Sequence, residues 1–382
     1  MLVALLEKDA VPFDVLHARY GSLLKLVETL IGVVPNCDRY LEIWPTAFRT
    51  YNVMVPNFLN LPFLIWGMGA PKATLGLAMY VSSRAASCPY CSAHTCSFAL
   101  RRGATVEQVA SALDHDASLS PADRAAVRIA RALSVIPADL HEEDRRELAR
   151  HFSPGDIEWL VLSIAMMGWL NKTMDALGVP LEQATAAEVN PVIAASGWTP
   201  GQHLATPPAN GRPPRPDTAL TSLGVVRRAP RALALDRKWT AGVPHRWPAV
   251  GTYLRERTGH DFPVLARLRH GRAIRAIATM LKDNLIEGGS IPRAEKLAAG
   301  LVYAETVRDA PLVEDLRALG GKEAPESAVQ RLARAVAPSP AAVDAAVVES
   351  SRGLAPAAVV ELVTFVALLQ MLHRLSTYYA RS

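Results

Sequence analysis

The sequence predicts an all-α protein made of two tandem helical domains, the second a degenerate copy of the first. Three observations carry this. Strand formers are scarce, Ala, Leu and Arg abound, and 50% of the 382 residues are hydrophobic, the composition of a helical chain with a substantial core. Five prolines crowd ATPPANGRPPRPDT at 205–218. That stretch has almost nothing to bury and reads as an extended linker. Finally, a long apolar segment at 153–177 aligns without a gap to 355–379. The predicted domains are therefore 1–204, carrying the cysteines, and 219–382, joined by 205–218.

Composition excludes several function classes. The net charge of +5 is spread over a long chain and does not select a partner. Between 221 and 275 twelve Arg and Lys face three acids, with Trp239, Trp247, Tyr253 and Phe262 interleaved. The stretch shows no nucleic-acid motif, so it reads as a solvated basic face and no nucleic-acid partner is expected. The N-terminus MLVALLEKDAVPFDV lacks the pattern of a signal peptide. The apolar runs at 62–70 and 159–170 are shorter than the roughly 18 residues of a membrane span. A cytoplasmic protein with no membrane partner is expected. There, a clustered C-x-x-C is catalytic or metal-binding rather than a structural staple.

In chain order, the aromatics and methionines of 44–70 read as core, with the option of lining an apolar pocket. Residues 72–86 are Ala-rich and proline-free, a good helix. Ser87-Cys88-Pro89 breaks and restarts it, with Cys88 near the N-cap and Gly103 as the stop. Ser120-Pro121 and Ser153-Pro154, each with an Asp in the first turn, open two further helices. In the last of these Ile157, Leu160, Val161, Ile164, Ala165, Gly168 and Trp169 follow the spacing of a buried helical face. In the repeat, Pro154 meets Pro356, Leu160 meets Leu362 and Leu170 meets Leu372. Upstream, Tyr80 faces Tyr303, a register that puts Pro311 opposite Cys88 and Glu314 opposite Cys91.

The chain has 4 cysteines, and Cys88, Cys91 and Cys96 fall within nine residues, with His94 among them. Cys88, Cys91 and His94 lie at three-residue steps and share one helical face. A helix N-terminus favours thiolate over thiol, so a lowered cysteine pKa is expected. Arg84, four residues before Cys88, is a candidate for added positive charge. The set supplies a nucleophile, a thiol to resolve it, and a base. Cys96 falls off this face and reads as a core thiol, as does Cys37. His373 reads as a satisfied core histidine. A zinc site is disfavoured because all the ligands sit on one short stretch.

The run Cys88-Pro89-Tyr90-Cys91-Ser92-Ala93-His94-Thr95, preceded by Ser83-Arg84-Ala85-Ala86, resembles the C-x-Y-C-x-A-H-T version of the carboxymuconolactone decarboxylase-like, or alkyl hydroperoxidase D-like, superfamily. Asn171-Lys172-Thr173-Met174-Asp175-Ala176-Leu177-Gly178-Val179 resembles the segment that follows its long helix. The resemblance covers about residues 35–200. It implies an all-α homo-oligomer that reduces peroxides or exchanges disulfides. Cys91 would attack the oxidant, Cys88 would resolve it, and an external dithiol would reopen the pair. His94 would be the base, although many members place it where Thr95 stands here. Tyr90, Thr95 and Arg84 would support the site. No metal or organic cofactor is implied. One departure stands out: peroxidases of this family carry a relay glutamate where this chain has Gly76, and no acid occurs from 43 to 106. Asp175, Asp114, Asp116 and Glu305 are candidate replacements. Two alternatives remain open: acid–base chemistry on a small organic acid through His94, and a redox sensor without turnover.

Overall fold

The computed structural model describes residues 1–113, 118–203, 211–286 and 289–379. Among them no strand occurs, and the all-α prediction holds. The helices before the linker are α1 (Val3–Leu6), α2 (Phe13–Ile31), α3 (Cys37–Leu41), α4 (Pro45–Phe58), α5 (Lys72–Ala85), α6 (Pro89–Arg101), α7 (Val106–Ser111), α8 (Pro121–Ala132), α9 (Glu142–His151), α10 (Pro154–Leu177) and α11 (Gln183–Ile193). After it come α12 (Ala219–Trp239), α13 (Ala249–Thr258), α14 (Gly271–Leu281), α15 (Arg293–Thr306), α16 (Ala310–Ala318), α17 (Ala328–Val336), α18 (Ala345–Ser351) and α19 (Pro356–Tyr379).

The start signals work as read. Ser120 Oγ accepts the Asp123 N–H at 3.1 Å and Ser153 Oγ accepts the Asp156 N–H at 3.2 Å, satisfying donors the first helical turn leaves free. Gly178 ends α10 with φ 71°, where a Cβ would be strained. α10 and α19 lie along one another at the centre, buried on nearly all sides. α19 is long and apolar enough to cross a membrane, but 89% of that apolar window is buried inside the fold. A helix apolar all round is what a central core position requires.

Helices of equal length occur on both sides of the linker. α5 and α15 both have 14 residues, and α10 and α19 both have 24. Ser87 (φ 54°) and Arg308 (φ 57°) make the same left-handed break, each just before an N-cap, Cys88 and Asp309.

Residues 211–218 of the linker carry no regular element. Asp217 docks them: its N–H donates to the Arg101 carbonyl at 2.8 Å, and its carboxylate pairs with buried Arg102. α12 then packs on α2. Trp239 joins Tyr20 and Phe48 in an aromatic cluster, and Tyr253 and Phe262 are buried, so these aromatics of the basic stretch serve the core.

Candidate active site

α6 begins at the cysteines. Cys88 is its N-cap, with Sγ accepting the Cys91 N–H at 3.3 Å. The Cys88 N–H is held by the Ser83 carbonyl at 3.1 Å, and Trp198 Nε1 donates to the Pro89 carbonyl at 3.1 Å. Both thiols are free and buried.

Cys91 departs from the expected lowered pKa. Burial pushes its thiol well above the usual value, and the Cys88 sulfur, Asp175 and Cys37 push the same way. Desolvation of a fully buried thiolate costs more than the first turn's partial charge returns.

His94 faces a partner that sequence reasoning did not find. Glu182, the N-cap residue of α11, lies with Oε2 2.7 Å from His94 Nε2. Its Oε1 accepts the Tyr90 hydroxyl at 2.9 Å and the Asn36 N–H at 2.5 Å. Burial raises the Glu182 pKa, but the His94 charge and hydrogen bond and the Asn36 N–H outweigh it and leave the pKa below its ordinary value. An ionised carboxylate accepts only, so Nε2 of His94 is the donor, and Nδ1 is the acceptor of the neutral ring.

Tyr90 and His94 thus share Glu182, and their rings lie 4.5 Å apart. Thr95 Oγ1 donates to the Cys91 carbonyl at 2.6 Å. Arg84 is turned elsewhere: Nη1 and Nη2 donate to Ser196 Oγ and O at 2.7 and 3.0 Å. Its charge bears on Cys96, whose thiol burial pushes up to about 12 against the pull of Arg84.

The family's relay position is closed by packing. A Cβ on Gly76 would come 2.7 Å from Ala99 Cα, because α5 and α6 cross in close contact there. Among the proposed replacement acids, Asp175 sits beside Lys172, its carboxyl pushed up to about 6 by burial, and Glu305 is exposed. Asp114 and Asp116 lie outside the described residues.

Cys91, His94, Tyr90 and Thr95 open on one cavity of about 150 Å³. Cys37 lines it too, so this thiol shares the site instead of lying apart in the core. Met79, Met166, Met167 and Leu170 make its walls, with Leu23 and Leu30 of α2 opposite. Val225, Ala229 and Trp239 of α12 contribute from beyond the linker. The lining is overwhelmingly apolar. Cys91 and His94 thus meet on a small, mostly apolar chamber, with the Glu182 carboxylate bonded to His94.

Residues 58–132, which span α5, α6 and α8, match the carboxymuconolactone decarboxylase family, bearing out over that stretch the resemblance read from the cysteine motif. Two solved structures are similar. The debrominase Bmp8 without ligand shares 24% identity, with a TM-score of 0.39, over 45% of this chain and 90% of that one. A cysteine-to-alanine variant of Bmp8 with 2,3,4-tribromopyrrole shares 23%, with a TM-score of 0.41, over 46% and 92%. No curated protein matches.

Proposed function

We propose that the protein is a thiol-dependent reductase of small apolar hydroperoxides. The observation that carries this reading is the convergence of Cys91 and His94 on one apolar cavity, with Glu182 hydrogen-bonded to His94. A hydroperoxide with an organic tail gains from leaving water there.

In this reading His94 Nδ1 takes the Cys91 proton as the thiolate attacks the terminal peroxide oxygen. The O–O bond breaks, Cys91 becomes a sulfenic acid, and the departing alkoxide leaves as the alcohol with the proton returned by His94. Glu182 supports the imidazolium in between, the task the missing glutamate at Gly76 would have had. Cys88 then attacks the sulfenic sulfur, a disulfide forms, and water leaves. An external dithiol reduces the pair by two electrons and restores both thiols. The high intrinsic pKa of buried Cys91 makes the histidine base necessary rather than optional.

The test is a free-thiol count and intact mass on reduced protein, before and after one equivalent of an aryl-alkyl hydroperoxide. Wild type should lose two thiols. Cys88→Ser should gain one oxygen at Cys91, and Cys91→Ser should stay unchanged. Two intact thiols in wild type overturn the redox reading and turn the search to organic acids handled by His94.

A further inference from the structure

The basic stretch 221–275 is not wholly a solvated face. Arg272, in the first turn of α14, is partly buried and lines the same cavity as Cys91 and His94. Its Nε donates to Asn57 Oδ1 at 3.0 Å, its Nη1 to Asn60 Oδ1 at 3.2 Å and its Nη2 to the Leu61 carbonyl at 2.8 Å. The guanidinium carbon lies 5.9 Å from the centre of the Phe63 ring. These partners hold the planar group at the C-terminal end of α4.

All three acceptors are neutral oxygens. A guanidinium carries five N–H donors, so one on each Nη is left without a partner among the described residues. Asp236, which also lines the cavity, stands across Asn57, whose Nδ2 donates to Asp236 Oδ1 at 2.8 Å. Burial raises the Asp236 pKa, while Asn57 and the charges of Arg275, Arg272 and Arg237 lower it. Three arginines therefore surround one acid here. Burial lowers the Arg272 pKa too, but an arginine starts so high that it stays charged. The thiol side of the chamber is held separately. His94 is tied through Glu182 to Asn36, ahead of α4, whereas Arg272 is tied to the residues that end α4 and follow it. Between them α4 lines the cavity from Tyr51 to Leu59, about 12 Å of helix.

We propose that the cavity is a two-ended site for an amphipathic acid: Arg272 holds a terminal carboxylate, and the apolar body of the molecule lies along α4 toward Cys91 and His94. Among hydroperoxides with an apolar body, those ending in a carboxylate are then favoured over their neutral esters. The inference rests on this cavity being the substrate site of the proposed reductase, and Arg272 is its specificity-determining residue. The physics is a division of labour. The body gains by leaving water, and the carboxylate, costly to bury alone, exchanges water for charge-assisted N–H bonds. The cation comes from the half beyond the linker, outside the residues 58–132 that match the family.

The test compares octanoate with methyl octanoate, which share the apolar body, by calorimetric Kd in wild type, Arg272→Lys and Arg272→Gln. Wild type should bind the acid more tightly than the ester by on the order of tenfold or more. Arg272→Gln should lose that preference and keep its ester affinity. Arg272→Lys should keep part of the preference, since the charge remains and the fork is lost. A merely structural arginine would weaken both ligands alike. Saturating octanoate should also shield Cys91 of wild type from iodoacetamide, which places the ligand in the cavity. Equal affinities for acid and ester in wild type overturn the proposal without any variant. So does a preference that survives intact in folded Arg272→Gln, and so does bound octanoate that leaves Cys91 alkylation unchanged. If Arg272→Gln does not fold, the wild-type comparison, the shielding and the lysine variant decide. Neither ligand is a peroxide, so the two readings fail separately. A protein that prefers octanoate but leaves hydroperoxides untouched sinks the reductase reading alone, and a reductase without the preference sinks this inference alone.

Discussion

Glu182 Oε2 lies 2.7 Å from His94 Nε2, across 88 residues of sequence. The acid that orients the histidine therefore comes from the start of α11, not from α5, where the family's glutamate would stand. Replacing it with Gln keeps the shape and removes the charge. Glu182→Gln should slow Cys91 oxidation by an organic hydroperoxide by about 10- to 100-fold, within the range of general acid–base assistance. Stopped-flow thiol loss under single turnover measures this. A variant as fast as wild type removes Glu182 from the mechanism.

Gly76 reports on packing. Gly76→Ala should destabilise the fold by about 1–3 kcal/mol, because the new methyl meets backbone atoms of Ala99 that cannot rotate away. Urea denaturation at constant slope checks it. Gly76→Glu should not restore a relay, since no room for the side chain exists between α5 and α6.

Leu170 tests the chamber. Leu170→Phe narrows the cavity wall and should raise KM for an aryl-alkyl hydroperoxide several-fold. Hydrogen peroxide, which needs little of that space, should change by less than about twofold. Equal effects on both substrates would place the bulky substrate elsewhere.

His203 makes stability pH-dependent. Burial lowers its pKa from 6.5 to about 4, and its Nδ1 lies 2.6 Å from the Val179 carbonyl. The unfolded chain binds a proton that the folded chain refuses between those values, so stability is full above pH 6.5 and is lost as pH falls toward 4. The contribution is on the order of 3 kcal/mol. His203→Gln should flatten the stability curve in that window, read by urea midpoints at pH 4.5 and 7. Parallel curves for the two proteins would show that another group titrates there.

Much of the first half was legible because its signals are local. Ser120 and Ser153 start helices through bonds that span three residues, and Cys88-Pro89 marks a helix start by the same short-range logic. The shared face of Cys91 and His94 follows from helical spacing alone, whereas Cys88, in the extended N-cap conformation, is not among the residues lining their cavity. Glu182 was not legible, since no spacing rule connects it to His94. Arg84 was misplaced for a related reason: four residues before Cys88 is a neighbour only if the helix continues, and the break at Ser87 turns Arg84 toward Ser196 instead.

Sequence alone determined the all-α class and the thiol motif, because periodicity and capping act over a few residues. Tertiary structure alone decided how the thiols are tuned. Burial outweighed the helix N-terminus at Cys91, and a close helix crossing excluded an acid at Gly76. The carboxylate that meets His94, Glu182, arrives from a distant segment, because hydrogen bonding, desolvation and Coulomb interactions depend on position in space, which only the packed fold supplies.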